Sequence, residues 1–138
     1  MQILVVEDDA VLAMVSALAL EDAGHTIVGT VHDMKSFERL PDLNGTALAL
    51  VDINLAGGDE GLEIARRLRM DQIPVLFISG QLGAARENTG LALGLLRKPY
   101  EIEDLLDSVE YVRNLSSGAD AALRPPSALE IFESNGTI

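Results

Sequence analysis

Residues 2–9 have the sequence QILVVEDD, a compact apolar run that ends in three acidic residues. Gln2 to Val6 has the length and the aliphatic content of a buried strand. The period then changes, because the next apolar residues fall at i, i+3, i+4 and i+7, the spacing of one helix face: Val11, Met14, Val15 and Leu18. Gly24 lies where such a helix would end. The start of the chain therefore predicts a strand followed by an amphipathic helix.

The same alternation of strand and helix recurs along the chain. Further strands are predicted at His25–Val31, Ala47–Val51, Ile73–Ile78 and Leu91–Leu96. Helical patterns separate them, with Asp33 as the cap of a short second helix and a final amphipathic helix from Ile102 to Val112. Five such units in about 115 residues predict an α/β fold with a doubly wound, five-stranded parallel sheet and helices on both faces.

The composition limits the classes of protein to which this chain can belong. Its 138 residues suffice for one domain, and 22 acidic against ten basic residues give a net charge of −12. Such a charge repels phosphate backbones, so we expect no direct nucleic-acid partner. The longest apolar stretch, Val11 to Leu20, is too short to span a bilayer, and the first residues lack the basic start of a signal peptide. With no cysteine, these features predict a cytoplasmic protein without membrane insertion.

Polar side chains follow four of the five predicted strands. They come after the first strand (Glu7 and Asp8), the third (Asp52), the fourth (Ser79) and the fifth (Lys98). The carboxyl ends of the strands form the ligand site in such a sheet, so these groups are expected to converge. Three close carboxylates repel one another, and a hard divalent cation, Mg²⁺ or Mn²⁺, relieves that repulsion. With a lysine and a hydroxyl beside them, these residues predict a metal-assisted aspartyl-phosphate site.

Four segments resemble the signatures of response-regulator receiver domains, in the same order and at nearly the same spacing. They are ILVVEDD at residues 3–9, LVDINL at 50–55, FISG at 77–80 and RKPY at 97–100. The resemblance covers residues 1–115 and implies the flavodoxin-like receiver fold, with the strand order 2-1-3-4-5. It also implies a signalling module of a two-component phosphorelay, which catalyses its own phosphorylation and dephosphorylation and is not an enzyme for a separate substrate.

The resemblance assigns the phosphoryl chemistry to particular residues. Asp52 would be the phosphoacceptor, and Ser79 and Lys98 would bind the phosphoryl oxygens. A cis peptide bond before Pro99 would aim the lysine. The implied phosphodonor is a phosphohistidine on a histidine kinase or a histidine phosphotransfer protein, and phosphorylation would switch binding to a downstream protein target.

The resemblance also implies the ligands of the metal ion. Asp8 and Asp52 would bind Mg²⁺ through their carboxylates, and Asn54 would bind it through its backbone carbonyl. Glu7 would hold a metal-bound water or ligate from further out.

The sequence departs from the receiver pattern in ways that affect the switch. Lys98 follows Ser79 by only 19 residues, so the fourth helix is expected to be short or irregular. Leu95 stands where receivers commonly carry an aromatic residue, so the switch would depend on the reordering of a loop. The FISG and RKPY segments are similar to the "FAT GUY" group of receivers, which are often stand-alone proteins. We therefore expect a single-domain response regulator.

The composition changes to serine, glycine, alanine and proline in residues 116–138, which is typical of a flexible tail. The spacing Ser127-x-x-Glu130 after two prolines also fits the start of a short docking helix. Both interpretations stay open.

Two other functions fit parts of the sequence. A phosphorylation-independent adaptor would keep the fold and signal through binding alone, and Leu95 leaves room for it. A small phosphohydrolase with an aspartyl nucleophile would usually carry a second acid two residues later, where this chain has Asn54. It would also carry its nucleophile on the first strand, so the receiver function is favoured.

Overall fold

The computed structural model describes residues 1–118 and 124–132, and within them it contains six strands and five helices. The strands are β1 Gln2–Val6, β2 Thr26–Val31, β3 Leu48–Asp52, β4 Val75–Ser79, β5 Gly94–Arg97 and β6 Leu129–Ile131. The helices are α1 Ala10–Asp22, α2 Met34–Glu38, α3 Glu60–Met70, α4 Leu82–Arg86 and α5 Ile102–Ser116. Single 3₁₀ turns lie at Leu55–Gly57 and Thr89–Leu91.

The strands form one sheet of order β2-β1-β3-β4-β5-β6. The first five are parallel, which confirms the predicted doubly wound sheet of order 2-1-3-4-5. β1 and β3 are neighbours, with Val6 paired to Val51. The residues that follow this pair therefore lie side by side at one edge of the sheet, and this places Glu7 next to Asp52.

The sixth strand corrects the prediction for the end of the chain. Leu129–Ile131 pairs antiparallel with β5, so the short docking helix predicted from the Ser127-x-x-Glu130 spacing is wrong. The backbone of this segment pairs with the open edge of β5, and this long-range pairing overrides the local capping pattern. The division of the chain at residue 115 stays a prediction. Residues 119–123 and 133–138 of the predicted tail lie outside the described residues.

Helices cover both faces of the sheet, as predicted. Alternate strand residues point to opposite faces, so the strands supply side chains to two separate cores. The first core joins the sheet to α1 and α5, and the second joins it to α2, α3 and α4. Because helices cover the sheet on both sides, every residue of the central strands β3 and β4 is buried.

Acidic side chains determine where the first two helices begin. Asp9 accepts hydrogen bonds from the backbone amides of Val11 and Leu12 at 3.0 and 3.1 Å, so α1 starts directly after the acidic run. Asp33 and Ser36 form a reciprocal capping box at the start of α2, which confirms Asp33 as its cap.

α1 packs on the sheet through three small residues and Leu20, and four other apolar side chains of the helix face solvent. Its buried residues are Ala13, Ser16, Ala17 and Leu20. The apolar stripe found in the sequence lies on another face, where Met14 is 56% exposed and Leu18 is 60% exposed. We call the four exposed residues Val11, Met14, Val15 and Leu18 the α1 stripe. An exposed stripe of this kind is a feature of interaction surfaces.

The segment after β4 is as short as expected. α4 has only five residues, and β5 begins at Gly94 because Leu91, the predicted first residue, belongs to a 3₁₀ turn. Within the described residues, every helix is too short or too polar to cross a bilayer.

Candidate functional site

The acidic cluster lies at the carboxyl ends of β1 and β3. Glu7 and Asp52 are each only 4% exposed, whereas Asp8 is exposed. Each of the three residues has a carboxylate oxygen within 4.8 Å of the corresponding oxygens of the other two. The structure therefore brings together the three acids that follow the first and third predicted strands.

Lys98 closes the cluster from the end of β5. Its ammonium donates hydrogen bonds to Glu7 Oε1 at 3.1 Å and to Asp52 Oδ2 at 3.2 Å. Its backbone amide donates to the carbonyl of Ser79 at 3.0 Å, and the peptide bond between Lys98 and Pro99 is cis, as the resemblance implied. The lysine thus contacts two of the three acids that it was predicted to face.

The cluster holds more negative charge than one lysine balances. Burial raises the pKa of Glu7 to about 7, helped by a hydrogen bond to Asp52 and by the charge of Asp52, while the Asp9 amide and Lys98 oppose the change. Burial acts to lower the pKa of Lys98, but the hydrogen bond to Glu7 and the charges of both acids outweigh it, so this pKa is raised. The lysine therefore stays charged, and the cluster disfavours the charged form of Glu7.

Backbone amides orient two of the carboxylates. The amide of Asn54 donates to Asp52 Oδ1 at 3.0 Å, and the amide of Ala56 donates to Asp8 Oδ2 at 3.2 Å. The carbonyl of Asn54 accepts a hydrogen bond from the Gly57 amide at 2.9 Å. A carbonyl oxygen has a second lone pair, so its role as a metal ligand is compatible with this bond and stays a prediction.

Ser79 is fully buried at the end of β4, the strand next to that of Asp52. Its hydroxyl accepts a hydrogen bond from the amide of Gln81 at 2.8 Å and donates one to the Gln81 carbonyl at 3.3 Å. The loop before α4 therefore holds this hydroxyl. To bind a phosphoryl oxygen, Ser79 has to give up at least one of these bonds.

Gly61 is a residue of the site region to which the sequence analysis assigned no role. A β carbon at this position would lie 2.1 Å from the backbone oxygen of Asp52 and 2.6 Å from that of Ile53. Only glycine lets the first turn of α3 lie against the end of β3. The available signal was a glycine near the start of an otherwise amphipathic helix.

A shallow apolar pocket of about 360 Å³ lies beside the cluster and is lined by Leu12, Lys98, Pro99 and Tyr100. Leu12 belongs to α1, so the pocket connects the acidic cluster with the helix that carries the α1 stripe. The hydroxyl of Tyr100 lies 3.5 Å from Ser16 Oγ, and burial raises the pKa of this tyrosine.

The donor set of the cluster fits a divalent cation that prefers oxygen. Three carboxylates lie close enough to share one ion, and they are the donors that Mg²⁺ and Mn²⁺ favour. Burial is the main cause of the raised pKa of Glu7, and the charge of Asp52 adds a repulsion to it. A bound cation would remove that repulsion, so the residues present fit the implied metal.

Comparison with known proteins identifies the class of protein that this fold and acidic pocket define. The family model described as response regulator receiver domain matches residues 3–110. The chain belongs to this family of two-component signalling domains.

Curated relatives from several bacteria support this assignment. The chain is 35% identical over 109 residues to the uncharacterized transcriptional regulatory protein YkoG of Bacillus subtilis (strain 168). The aligned region covers 75% of this chain and 47% of YkoG. It is 32% identical over 127 residues to the virulence transcriptional regulatory protein PhoP of Salmonella choleraesuis (strain SC-B67). This aligned region covers 86% of this chain and 54% of PhoP. The chain spans about half the length of these relatives.

Solved structures have the same fold. The signal receiver domain of a modulated diguanylate cyclase from Desulfovibrio desulfuricans G20 is 30% identical, with a TM-score of 0.70 over 84% of this chain and 95% of that chain. The chemotaxis response regulator CheY4 of Vibrio cholerae is 23% identical, with a TM-score of 0.70 over 80% of this chain and 97% of that chain. The second likeness concerns the fold alone.

Proposed function

We propose that this receiver domain accepts a phosphoryl group on Asp52 from a phosphohistidine, with Mg²⁺ bound in the acidic cluster, and that phosphorylation changes the binding of a partner protein. The observation that carries the proposal is the surroundings of Asp52. This buried carboxylate has an ammonium 3.2 Å away and two further acids within reach of a shared cation. Family membership gives independent support.

The transfer step needs little covalent chemistry from the protein. A carboxylate oxygen of Asp52 attacks phosphorus and forms the O–P bond of an acyl phosphate, while the P–N bond breaks and its electron pair returns to the imidazole of the donor. The ammonium of Lys98 lies where it can pair with a phosphoryl oxygen. Catalysis then consists of positioning and charge neutralisation.

The metal would be held by Glu7, Asp8 and Asp52, with the carbonyl of Asn54 as a further ligand. A divalent cation supplies the positive charge that offsets the developing charge on the phosphoryl oxygens. Asp8 suits a direct ligand because its exposed carboxylate is oriented by the Ala56 amide at 3.2 Å. The same pocket would support the domain's own dephosphorylation once water reaches phosphorus.

The α1 stripe supports a protein phosphodonor that docks through a helical surface. Exposed apolar side chains spaced i, i+3, i+4 and i+7 match the pattern by which helices pack on each other. The apolar pocket at Leu12 and Tyr100 continues this surface to Lys98. A histidine kinase or a histidine phosphotransfer protein that docks here would bring its phosphohistidine to the acidic cluster.

Binding of a phosphoryl mimic tests the proposal. Beryllofluoride is expected to bind the full chain only when Mg²⁺ is present, and Asp52→Asn should abolish binding. Asp107→Asn, an exposed position on α5, is the matched control and should bind as the wild type does. Beryllofluoride binding that persists in Asp52→Asn would overturn the assignment of the acceptor.

Phosphotransfer separates this function from the adaptor alternative. A phosphorylated histidine kinase is expected to label the wild-type chain and not Asp52→Asn. If the kinase binds the chain but never labels it, the phosphorylation-independent adaptor is the better account. Two further points stay predictions: that the chain acts as a single-domain regulator, and that it is located in the cytoplasm.

A further inference from the structure

Residues 127–132 form a strap on the outer edge of the sheet, which we call the C-terminal strap. Its backbone forms hydrogen bonds with β5 and with Leu93, the residue that precedes β5. The amide of Arg97 donates to the carbonyl of Ala128 at 3.0 Å, and the amide of Phe132 donates to the carbonyl of Leu93 at 2.9 Å. The strap therefore covers the whole open edge of the strand that leads to Lys98.

Side chains of the strap enter both cores. Leu129 is 4% exposed and packs in the core that contains α5. Phe132 is 9% exposed and packs in the core that contains α4, with its ring centroid 6.5 Å from that of Phe77 and the rings inclined by 62°. The strap thus supplies an aromatic side chain to the face where β5 itself carries Leu95.

Gly94 shapes the edge of β5 for this strand. A β carbon at position 94 would lie 2.4 Å from the carbonyl oxygen of Glu130, so any other residue would push the strap away. The backbone of Gly94 does not have a positive φ, so alanine is compatible with the conformation of β5 itself. The close approach of the strap is what requires glycine at this position.

The ionic anchor of the strap lies on α4. Glu130 accepts hydrogen bonds from Arg86 at 2.8 and 3.2 Å, and Arg97 lies 3.9 Å away. Arg86 is the last residue of the five-residue α4. The loop before this helix is held by the hydrogen bond from Gln81 to the hydroxyl of Ser79. The side chain expected to respond to a phosphoryl group is therefore linked to the strap through one short helix.

We propose that the C-terminal strap is a switch element that phosphorylation of Asp52 loosens from the edge of β5. This inference rests on the proposed function, because it requires a phosphoryl group at Asp52. When Ser79 turns its hydroxyl proton to the phosphoryl oxygens, the hydrogen bond that it donates to the Gln81 carbonyl breaks. The loop that leads into α4 is then free to shift. The shift separates Arg86 from Glu130 and disturbs the core that α4 shares with Phe132. Loosening exposes the edge of β5 to a partner.

Amide hydrogen exchange measured by NMR on the full chain with Mg²⁺, with and without beryllofluoride, tests the switch. The amides of Phe132 and Arg97 are expected to lose about tenfold or more of their protection when beryllofluoride binds, while the central strands keep theirs. Bound beryllofluoride with unchanged or increased protection at these two amides would overturn the role of the strap alone. No Mg²⁺-dependent binding of beryllofluoride at all would overturn both proposals.

Two variants test the coupling from the other end. Gly94→Ala should expel the strap and, because coupling is reciprocal, tighten beryllofluoride binding by about fivefold. Gly90→Ala is the matched control, since a β carbon there meets nothing within 4 Å. Exposed strap amides in Gly94→Ala with unchanged affinity for beryllofluoride would contradict the coupling. If Gly94→Ala does not fold, Glu130→Gln is the alternative variant, because it removes the ionic anchor without adding volume. It should also lower the exchange protection of the strap amides and tighten beryllofluoride binding.

Discussion

The ammonium of Lys98 lies 3.2 Å from Asp52 Oδ2, although the two residues are 46 positions apart and β4 lies between their strands. The same ammonium lies 3.1 Å from Glu7 Oε1. One ammonium therefore contacts two buried acids. It lies on the side of the cluster where a phosphoryl oxygen would bind. The positive charge of Lys98 favours the binding of an anion at Asp52 and disfavours the binding of a second cation nearby.

Lys98→Met is expected to separate metal binding from phosphoryl binding. Removing the positive charge should tighten Mg²⁺ binding by about tenfold, because cation–cation repulsion is lost. It should weaken beryllofluoride binding by about tenfold or more, because the charged donor to the anion is lost. Titration calorimetry measures both affinities, with Lys35→Met on exposed α2 surface as the control. A parallel loss of both affinities would contradict this division of roles.

The pKa of Glu7 predicts how the stability of the metal-free protein depends on pH. This pKa is raised from 4.5 to about 7 in the folded state, so the folded state binds more protons than the unfolded state between these values. The contribution of Glu7 to the free energy of unfolding is therefore full below about pH 4.5 and is lost as the pH rises through 7. Urea unfolding at a series of pH values measures it.

Glu7→Gln is the control for this pH dependence. The variant should lack the decline in stability between pH 4.5 and 7. Saturating Mg²⁺ should also flatten the decline in the wild type, since the metal binds the deprotonated carboxylate. An equal decline in the wild type and in Glu7→Gln would show that another group causes it.

Gly61→Ala is expected to destabilise the protein and disturb the acceptor strand together. The new β carbon would lie 2.1 Å from the Asp52 backbone oxygen, so α3 or the end of β3 must move. We expect a loss of about 1–3 kcal/mol in the free energy of unfolding. Gly83→Ala on α4 has open space around its β carbon and should be neutral or stabilising by up to about 1 kcal/mol. Similar unfolding midpoints for the two variants would contradict the close contact.

Most of the fold could be predicted from the sequence because its elements follow local periods. The central strands β3 and β4 are buried on both faces and are continuous apolar runs. The carboxyl ends of parallel strands meet at one edge of the sheet. With the first, third, fourth and fifth strands as neighbours, this rule brings Glu7, Asp52 and Lys98 together, as the structure has them. The boundaries were less accurate, since β5 starts at Gly94 and not at Leu91.

Two features were beyond local patterns because long-range contacts determine them. The segment at Leu129–Ile131 has a helix-start spacing, yet it forms a strand because the edge of β5 is open and Gly94 leaves room for it. In α1 the period shows two candidate faces, one with the α1 stripe and one with Ala13, Ala17 and Leu20. The second face is the buried one. Neither choice can be made without knowing what packs against the segment.

The α1 stripe gives a last prediction, which separates docking from chemistry. Leu18→Lys should leave the free energy of unfolding within about 0.5 kcal/mol of the wild type, because the side chain is 60% exposed. Phosphotransfer from a phosphorylated histidine kinase should fall by about tenfold or more, because a charge would interrupt the apolar docking surface. Labelling by a small acyl phosphate should be unchanged, since the acidic cluster is intact. Met70→Lys, at an 82% exposed position on α3, is the control and should keep both reactions. If Leu18→Lys and Met70→Lys accept phosphoryl groups from the kinase equally fast, the stripe is not the docking surface.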